Sequence, residues 1–142
     1  MPDILHAIQI GAPPEKVYPL VSSADGFAQW WAEDSVAAGD AAELGFFNRA
    51  TIYRLRPQIL QPSSRAEWLC ETGQEWIGTR IVFALEPRDA KTFLRFSHAG
   101  WRAPTGFFTS CNTTWGALMF RLQAVAEGKP RGPLFLRNAW GY

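Results

Sequence analysis

Few residues in this sequence have the chemistry to do more than pack: two histidines, His6 and His98, two cysteines, Cys70 and Cys111, and the adjacent carboxylates Glu33 and Asp34. His98 shares a strand parity with Leu94 and Phe96, so it points toward the same interior, near the end of its strand. There an imidazole could donate to a ligand oxygen or act as acid or base, since it titrates near neutrality. The plainer alternative, a hydrogen bond that fixes the loop Ala99-Gly100-Trp101, is preferred. Ser97 makes no dyad with it, because neighbouring strand residues face opposite sides. Cys111 could in principle meet His98 as nucleophile and base, but nothing in the sequence brings them together, and two buried free thiols are the better reading. Glu33 and Asp34 have no second acid or metal ligand beside them and read as a solvated turn. There is no HExxH, CxxC, GxSxG or phosphate-loop pattern and no metal-ligand spacing, so no metal, nucleotide or other cofactor is expected.

The elements that must position these groups follow from periodicity. Asp3 to Ile10 alternates as a half-buried strand, with Ile4, Ile8 and Ile10 on one parity. Pro13 and Pro14 open a short helix bearing Val17, Leu20 and Val21, which Pro19 should kink or shorten. Ser22, Ser23 and Asp25 can cap a second short helix with Phe27, Trp30 and Trp31. Five strands are then expected, Ala42 to Arg49, Thr51 to Leu60, Arg65 to Thr72, Trp76 to Glu86 and Lys91 to His98, joined by short turns as an antiparallel meander. Ile77, Thr79, Ile81, Phe83 and Leu85 should look inward, while Glu67, Glu71, Arg80, Glu86 and Arg95 form a solvated face with cross-strand ion pairs. Trp76 has no obvious place. Phe108, Cys111, Trp115, Leu118, Leu122 and Val125, at steps of three and four, mark a long amphipathic helix stopped by Gly128 and Pro130. Its first half is rich in poor helix formers and depends on packing for its order.

The order of these elements predicts an α+β helix-grip fold: a curved antiparallel sheet wrapped around a long C-terminal helix, with two short helices after strand one. The chain resembles the START and birch-pollen-allergen-like (SRPBCC) superfamily. The segments Ile8-Gln-Ile10-Gly-Ala-Pro-Pro-Glu-Lys-Val17-Tyr, Trp30-Trp31, Gly78-Thr-Arg-Ile-Val-Phe83 and Phe96-Ser-His98-Ala-Gly-Trp101, with Trp115 and Leu118, are similar to its bacterial branch related to the activator of the heat-shock-protein-90 ATPase. The resemblance spans nearly the whole chain. It implies an apolar cavity between sheet and helix that takes hydrophobic small molecules. It does not imply one activity, because the superfamily includes carriers, receptors, cyclases and oligomerisation modules.

Length predicts one domain, 1–142, with 129–142 an apolar tail carrying Leu134, Phe135, Leu136, Trp140 and Tyr142. Aromatic residues make up 14 % of the chain, with seven Trp and ten Phe, and bulky rings between layers leave irregular gaps suited to a cavity. With a net charge of +1 and no long basic run, nucleic acid is not an expected partner. The start lacks a basic segment followed by an apolar run and no stretch approaches a membrane span, so a soluble cytoplasmic protein is expected.

Three functions compete. The first is binding of a hydrophobic or amphipathic small molecule by Tyr53, Trp68, Phe83, Phe96, His98, Phe108, Asn112 and Trp115, the His and Asn orienting one polar end. The second is a cyclase, dehydratase or hydrolase using His98 in the same cavity, with Asn112 or Tyr53 holding a carbonyl oxygen. The third is an interaction module whose apolar tail docks on a partner or on a second copy of the chain, forming a homodimer in the latter case. Trp30 and Trp31 could gate the mouth, but adjacent helix residues do not share a face, so at least one should simply pack.

Overall fold

The computed structural model describes residues 1–138. Strand β1 (Ile4–Ile10) buries Ile4 and Ile10 and turns Leu5, Ala7 and Gln9 outward. Helix α1 (Pro14–Val21) starts on a proline, where the missing N–H has no partner to lose, and ends two residues after Pro19. Helix α2 (Ala24–Trp30) is capped by Ser23, whose hydroxyl accepts from Gly26 N at 3.0 Å. Gly26 is where the two short helices meet: a Cβ there would lie 2.2 Å from the Pro19 carbonyl oxygen, so only glycine fits.

Six strands follow: β2 (Asp34–Ala38), β3 (Ala41–Phe46), β4 (Thr51–Gln61), β5 (Arg65–Cys70), β6 (Arg80–Arg88) and β7 (Lys91–Ala99). The sheet order is β1-β7-β6-β5-β4-β3-β2, antiparallel throughout. The chain begins at one edge, crosses to the other through α1 and α2, and returns strand by strand until β7 pairs with β1. Helix α3 (Gly106–Ala126), capped by the Thr105 hydroxyl, buries Cys111, Trp115, Leu118, Met119 and Leu122 against the inner face. This is the expected α+β helix-grip architecture, a curved open sheet with a long C-terminal helix.

Three details differ from the sequence expectation. Strand β2 starts at Asp34, which is 2 % exposed rather than solvated: its Oδ1 pairs with Arg49 at 2.8 Å and Arg137 at 3.4 Å. Strand β6 starts at Arg80, because Gly73 and Gly78, with φ of 98° and 83°, interrupt the extended run. Ile77 consequently faces out at 47 % exposure, whereas Ile81, Phe83 and Leu85 are buried as their parity requires. Pro57 is tolerated inside β4 because the register with β5 shifts between Pro57 and Ile59, a bulge that relieves the missing donor.

The outer face carries the expected ion pairs, Arg80 with Glu67 at 2.9 Å and Arg56 with Glu71 at 2.8 Å among them; being solvated, each contributes little. After α3, the described part of the tail lies back on its own domain. Phe135 forms a parallel bridge to Ala32, donating from its N–H to the Trp31 carbonyl at 2.9 Å, and Glu33 accepts from Arg137 N at 2.7 Å. Arg121 donates to the carbonyl of Gly132 at 3.0 Å, tying the strap to α3. Trp140 and Tyr142, grouped with these residues in the sequence, lie outside the described residues. Among the described residues, no helix is long and apolar enough to cross a membrane.

Candidate functional site

The inner face of the sheet divides into a filled half and an open half. In the filled half, Phe83 and Phe96 lie side by side on β6 and β7, and Trp68 on β5 donates to the Val21 carbonyl at 3.0 Å. Phe27 of α2 packs on Trp68 with centroids 5.2 Å apart, and Phe96 packs on Trp115 at 4.4 Å. Trp30 is fully buried and donates to the Leu20 carbonyl at 2.8 Å.

His98 sits at the boundary with no exposed surface. Trp115 Nε1 donates to its Nδ1 at 3.0 Å, and since an indole can only donate, the neutral ring must carry its proton on Nε2. Nε2 then donates to Thr79 Oγ1 at 2.8 Å, and the Thr79 hydroxyl donates to the Trp76 carbonyl at 2.5 Å. This chain ties α3 to the loop between β5 and β6. Burial pushes the imidazole pKa down from 6.5 to about 3. A ring with both nitrogens engaged and so low a pKa is not an acid or base at neutral pH. The role of His98 is a hydrogen-bonded clamp, on a different loop from the Ala99-Gly100-Trp101 turn named in the sequence reading.

The open half lies between β3, β4, the first half of α3 and the strap. A hollow of about 260 Å³ is walled there by Trp31, Phe46, Tyr53, Trp76, Trp115 and Phe135, with Thr51, Ser110, Cys111 and Thr114 adding small polar groups. The space exists because α3 presents Ser110, Cys111 and Thr114 where its second half presents Leu118, Met119 and Leu122. Tyr53 stacks on Trp76 at 4.0 Å and 21°, and Trp31 meets Trp115 at 4.8 Å. Among the described residues, none that lines the hollow is charged.

Its titratable groups are held neutral. Burial, with smaller contributions from the Cys111 and Cys70 thiols and Glu75, raises the Tyr53 phenol to about 12. Burial likewise raises Cys111 to about 11, opposed by a side-chain hydrogen bond from the Trp76 N–H, and raises Cys70, behind the wall, to about 12. Both thiols are free and buried, so neither is a nucleophile at neutral pH. Among the described residues no group of three or more His, Cys, Asp or Glu could hold a metal ion.

At the mouth, Phe47, Asn48 and Arg49 all adopt left-handed backbone, with φ of 55°, 56° and 65°. Such a run costs roughly 1–2 kcal/mol per residue without compensation. Here the Arg49–Asp34 pair and the bond from Asn48 N to the Arg137 carbonyl at 2.9 Å hold it. The strained turn and the strap therefore support one another beside the hollow.

Of the eight residues expected to bind a ligand, the structure brings Tyr53 and Trp115 to the hollow. Trp68, Phe83 and Phe96 lie in the filled half, and His98 stands behind Trp115. Phe108 turns to Trp101, with centroids 5.2 Å apart, while its neighbour Phe107 faces the hollow. Asn112 is exposed on α3, and its backbone carbonyl, not its amide, meets His6 Nε2 at 3.2 Å. Trp31 lines the hollow while Trp30 packs, so the two rings divide the roles as helix geometry demands. Trp76 and Phe135 were missed. The paired glycines around Trp76 were the available signal for a loop turning inward; Phe135 is too far along the chain for periodicity to place.

No family model and no curated protein matches the chain. Solved structures do. The Aha1 dimer of Colwellia psychrerythraea is similar at 32 % identity and a TM-score of 0.79, over 91 % of this chain and 98 % of that one. A protein of Mesorhizobium loti matches at 15 % identity and a TM-score of 0.77, over 89 % and 98 %. One of Bacillus halodurans matches at 20 % identity and a TM-score of 0.70, over 89 % and 98 %. At those identities the last two bear on the fold alone.

Proposed function

The chain belongs to the family of the Colwellia Aha1 protein, within the SRPBCC superfamily, and on that premise we propose that its hollow binds a small, neutral, flat apolar molecule. The carrying observation is an aromatic-walled space of about 260 Å³ without a charged lining residue among the described residues. Roughly 150 Å³ accommodates benzene and drug-sized ligands need 300 Å³ or more, so this space suits one or two fused rings. The walls of Tyr53, Trp76 and Trp115 offer stacking faces. The protonated Tyr53 hydroxyl supplies a polar group to orient the ligand. A carboxylate or ammonium head would enter without a counter-charge and is disfavoured.

The test is a titration of ¹⁵N-labelled protein with tetralin, a neutral two-ring probe, followed by amide chemical shifts. Saturable shifts confined to residues around the hollow are expected. They should vanish in Ser110→Trp, which fills the mouth from an exposed helix position without touching the core. Absence of saturation, or indifference to the tryptophan, would refute the reading.

A second reading, self-association, is favoured by the dimeric state of the Colwellia relative. Leu134 and Phe135 are engaged with their own domain, so a dimer would use another surface. Light scattering should then give the same dimeric mass for the full chain and for a folded chain truncated after Gly128; a monomeric full chain removes this reading.

A further inference from the structure

Three buried polar side-chain atoms have no hydrogen-bond partner among the described residues: Asp34 Oδ2, Trp76 Nε1 and Trp101 Nε1. They are not equivalent. Asp34 already engages Arg49 through its other oxygen, and Trp101 lies against Phe107 and Phe108, outside the hollow. Only Trp76 lines the hollow. Its neighbours show how unusual the orphan is, because Trp30, Trp68 and Trp115 donate to the Leu20 carbonyl, the Val21 carbonyl and His98 respectively. A buried donor left unpaired is costly, and folded proteins retain few.

We infer that the ligand of the hollow carries a neutral carbonyl-type oxygen, and that Trp76 Nε1–H is the donor that reads it. This rests on the binding reading above and adds the functional group. The N–H can only donate, so its partner must be an acceptor. The acceptor is uncharged, because among the described residues no cation lines the space to balance an anion. It belongs to a ring-bearing molecule, because the donor sits on an indole stacked 4.0 Å from Tyr53, and a flat ligand meets the same aromatic walls. The Trp76 N–H makes a weak side-chain hydrogen bond toward the Cys111 thiol, enough to lower its pKa against burial but short of ordinary hydrogen-bond geometry, and sulfur accepts weakly. The buried N–H is shielded from water. A ligand oxygen that takes the place of the Cys111 thiol at this donor forms its bond in a dry, low-dielectric setting where it is strong.

The experiment compares 1-tetralone with tetralin, which differ by one carbonyl oxygen, in ¹⁵N–¹H spectra of the indole groups. The Trp76 resonance is identified as the indole signal missing from Trp76→Phe. With tetralone it should move downfield and saturate; with tetralin it should not show that downfield shift. Tetralone should bind about threefold to tenfold more tightly than tetralin, the range of one net hydrogen bond, and in Trp76→Phe the ratio of the two affinities should fall to about one. Equal affinities, or a Trp76 signal that tetralone leaves in place, overturn the carbonyl assignment with the hollow reading intact. If neither compound saturates, the hollow reading falls and the assignment falls with it.

Discussion

The two halves of the inner face are built from the same sheet and the same helix, yet one is solid and the other hollow. In the solid half α1 and α2 pack Val17, Val21, Phe27 and Trp30 onto Trp68, Phe83 and Phe96. In the hollow half the early turns of α3 present Ser110, Cys111 and Thr114, which are too small to fill the space. The described part of the tail, residues 129–138, closes the side instead, pinned by Arg137, Glu33 and Arg121. The difference teaches that the cavity is set by the size of three helix residues and one loop tryptophan, not by the fold. Stability resides in one half, and the proposed recognition in the other.

Mutations separate the halves most sharply in the core. Phe83→Ala, fully buried, should cost about 3–5 kcal/mol in denaturant unfolding, because the neighbouring rings cannot collapse into the gap. A cost below about 1 kcal/mol would show that the solid half is not solid.

The next effect lies at the boundary and is read by pH. The folded His98 has its pKa lowered from 6.5 to about 3 by burial, so between those values the unfolded chain binds a proton that the folded chain refuses. Stability from this group is complete above about pH 6.5 and is lost as pH falls toward 3, by about 1.4 kcal/mol per pH unit. Urea unfolding from pH 7 to 5 should show that slope in the wild type beyond what His98→Gln shows. Identical slopes would mean that the imidazole is protonated in the fold.

The smallest stability effect belongs to the open half. Phe135→Ala, only half-buried, should cost about 1 kcal/mol and yet weaken tetralin binding at least threefold, because it removes one wall. If stability fell as far as in Phe83→Ala, the strap would be part of the core and the division of labour would be wrong.

Much of the frame was legible from local patterns. Alternation in Ile4–Ile10 and Leu94–His98, the apolar steps of Cys111 to Leu122 and the proline and glycine stops marked the elements, because periodicity is a property of neighbours in sequence. The site was less legible. Parity correctly sent Phe83, Phe96 and His98 inward, but inward meant into a packed half, since parity says which face a residue occupies and not what covers it. Asp34 read as solvated because its partners Arg49 and Arg137 are distant in sequence. Trp76 escaped placement because its loop folds under the sheet between two left-handed glycines.

The sequence by itself determined the strands, the helices and their order, and hence the helix-grip fold, because those follow from short-range spacing and turn chemistry. Only the tertiary structure decided which aromatic rings fill space and which surround it. That choice depends on the volumes brought together by β3, β4, α3 and the strap, and on the neutral hydrogen-bond chain from Trp115 through His98 and Thr79 that fixes where Trp76 stands.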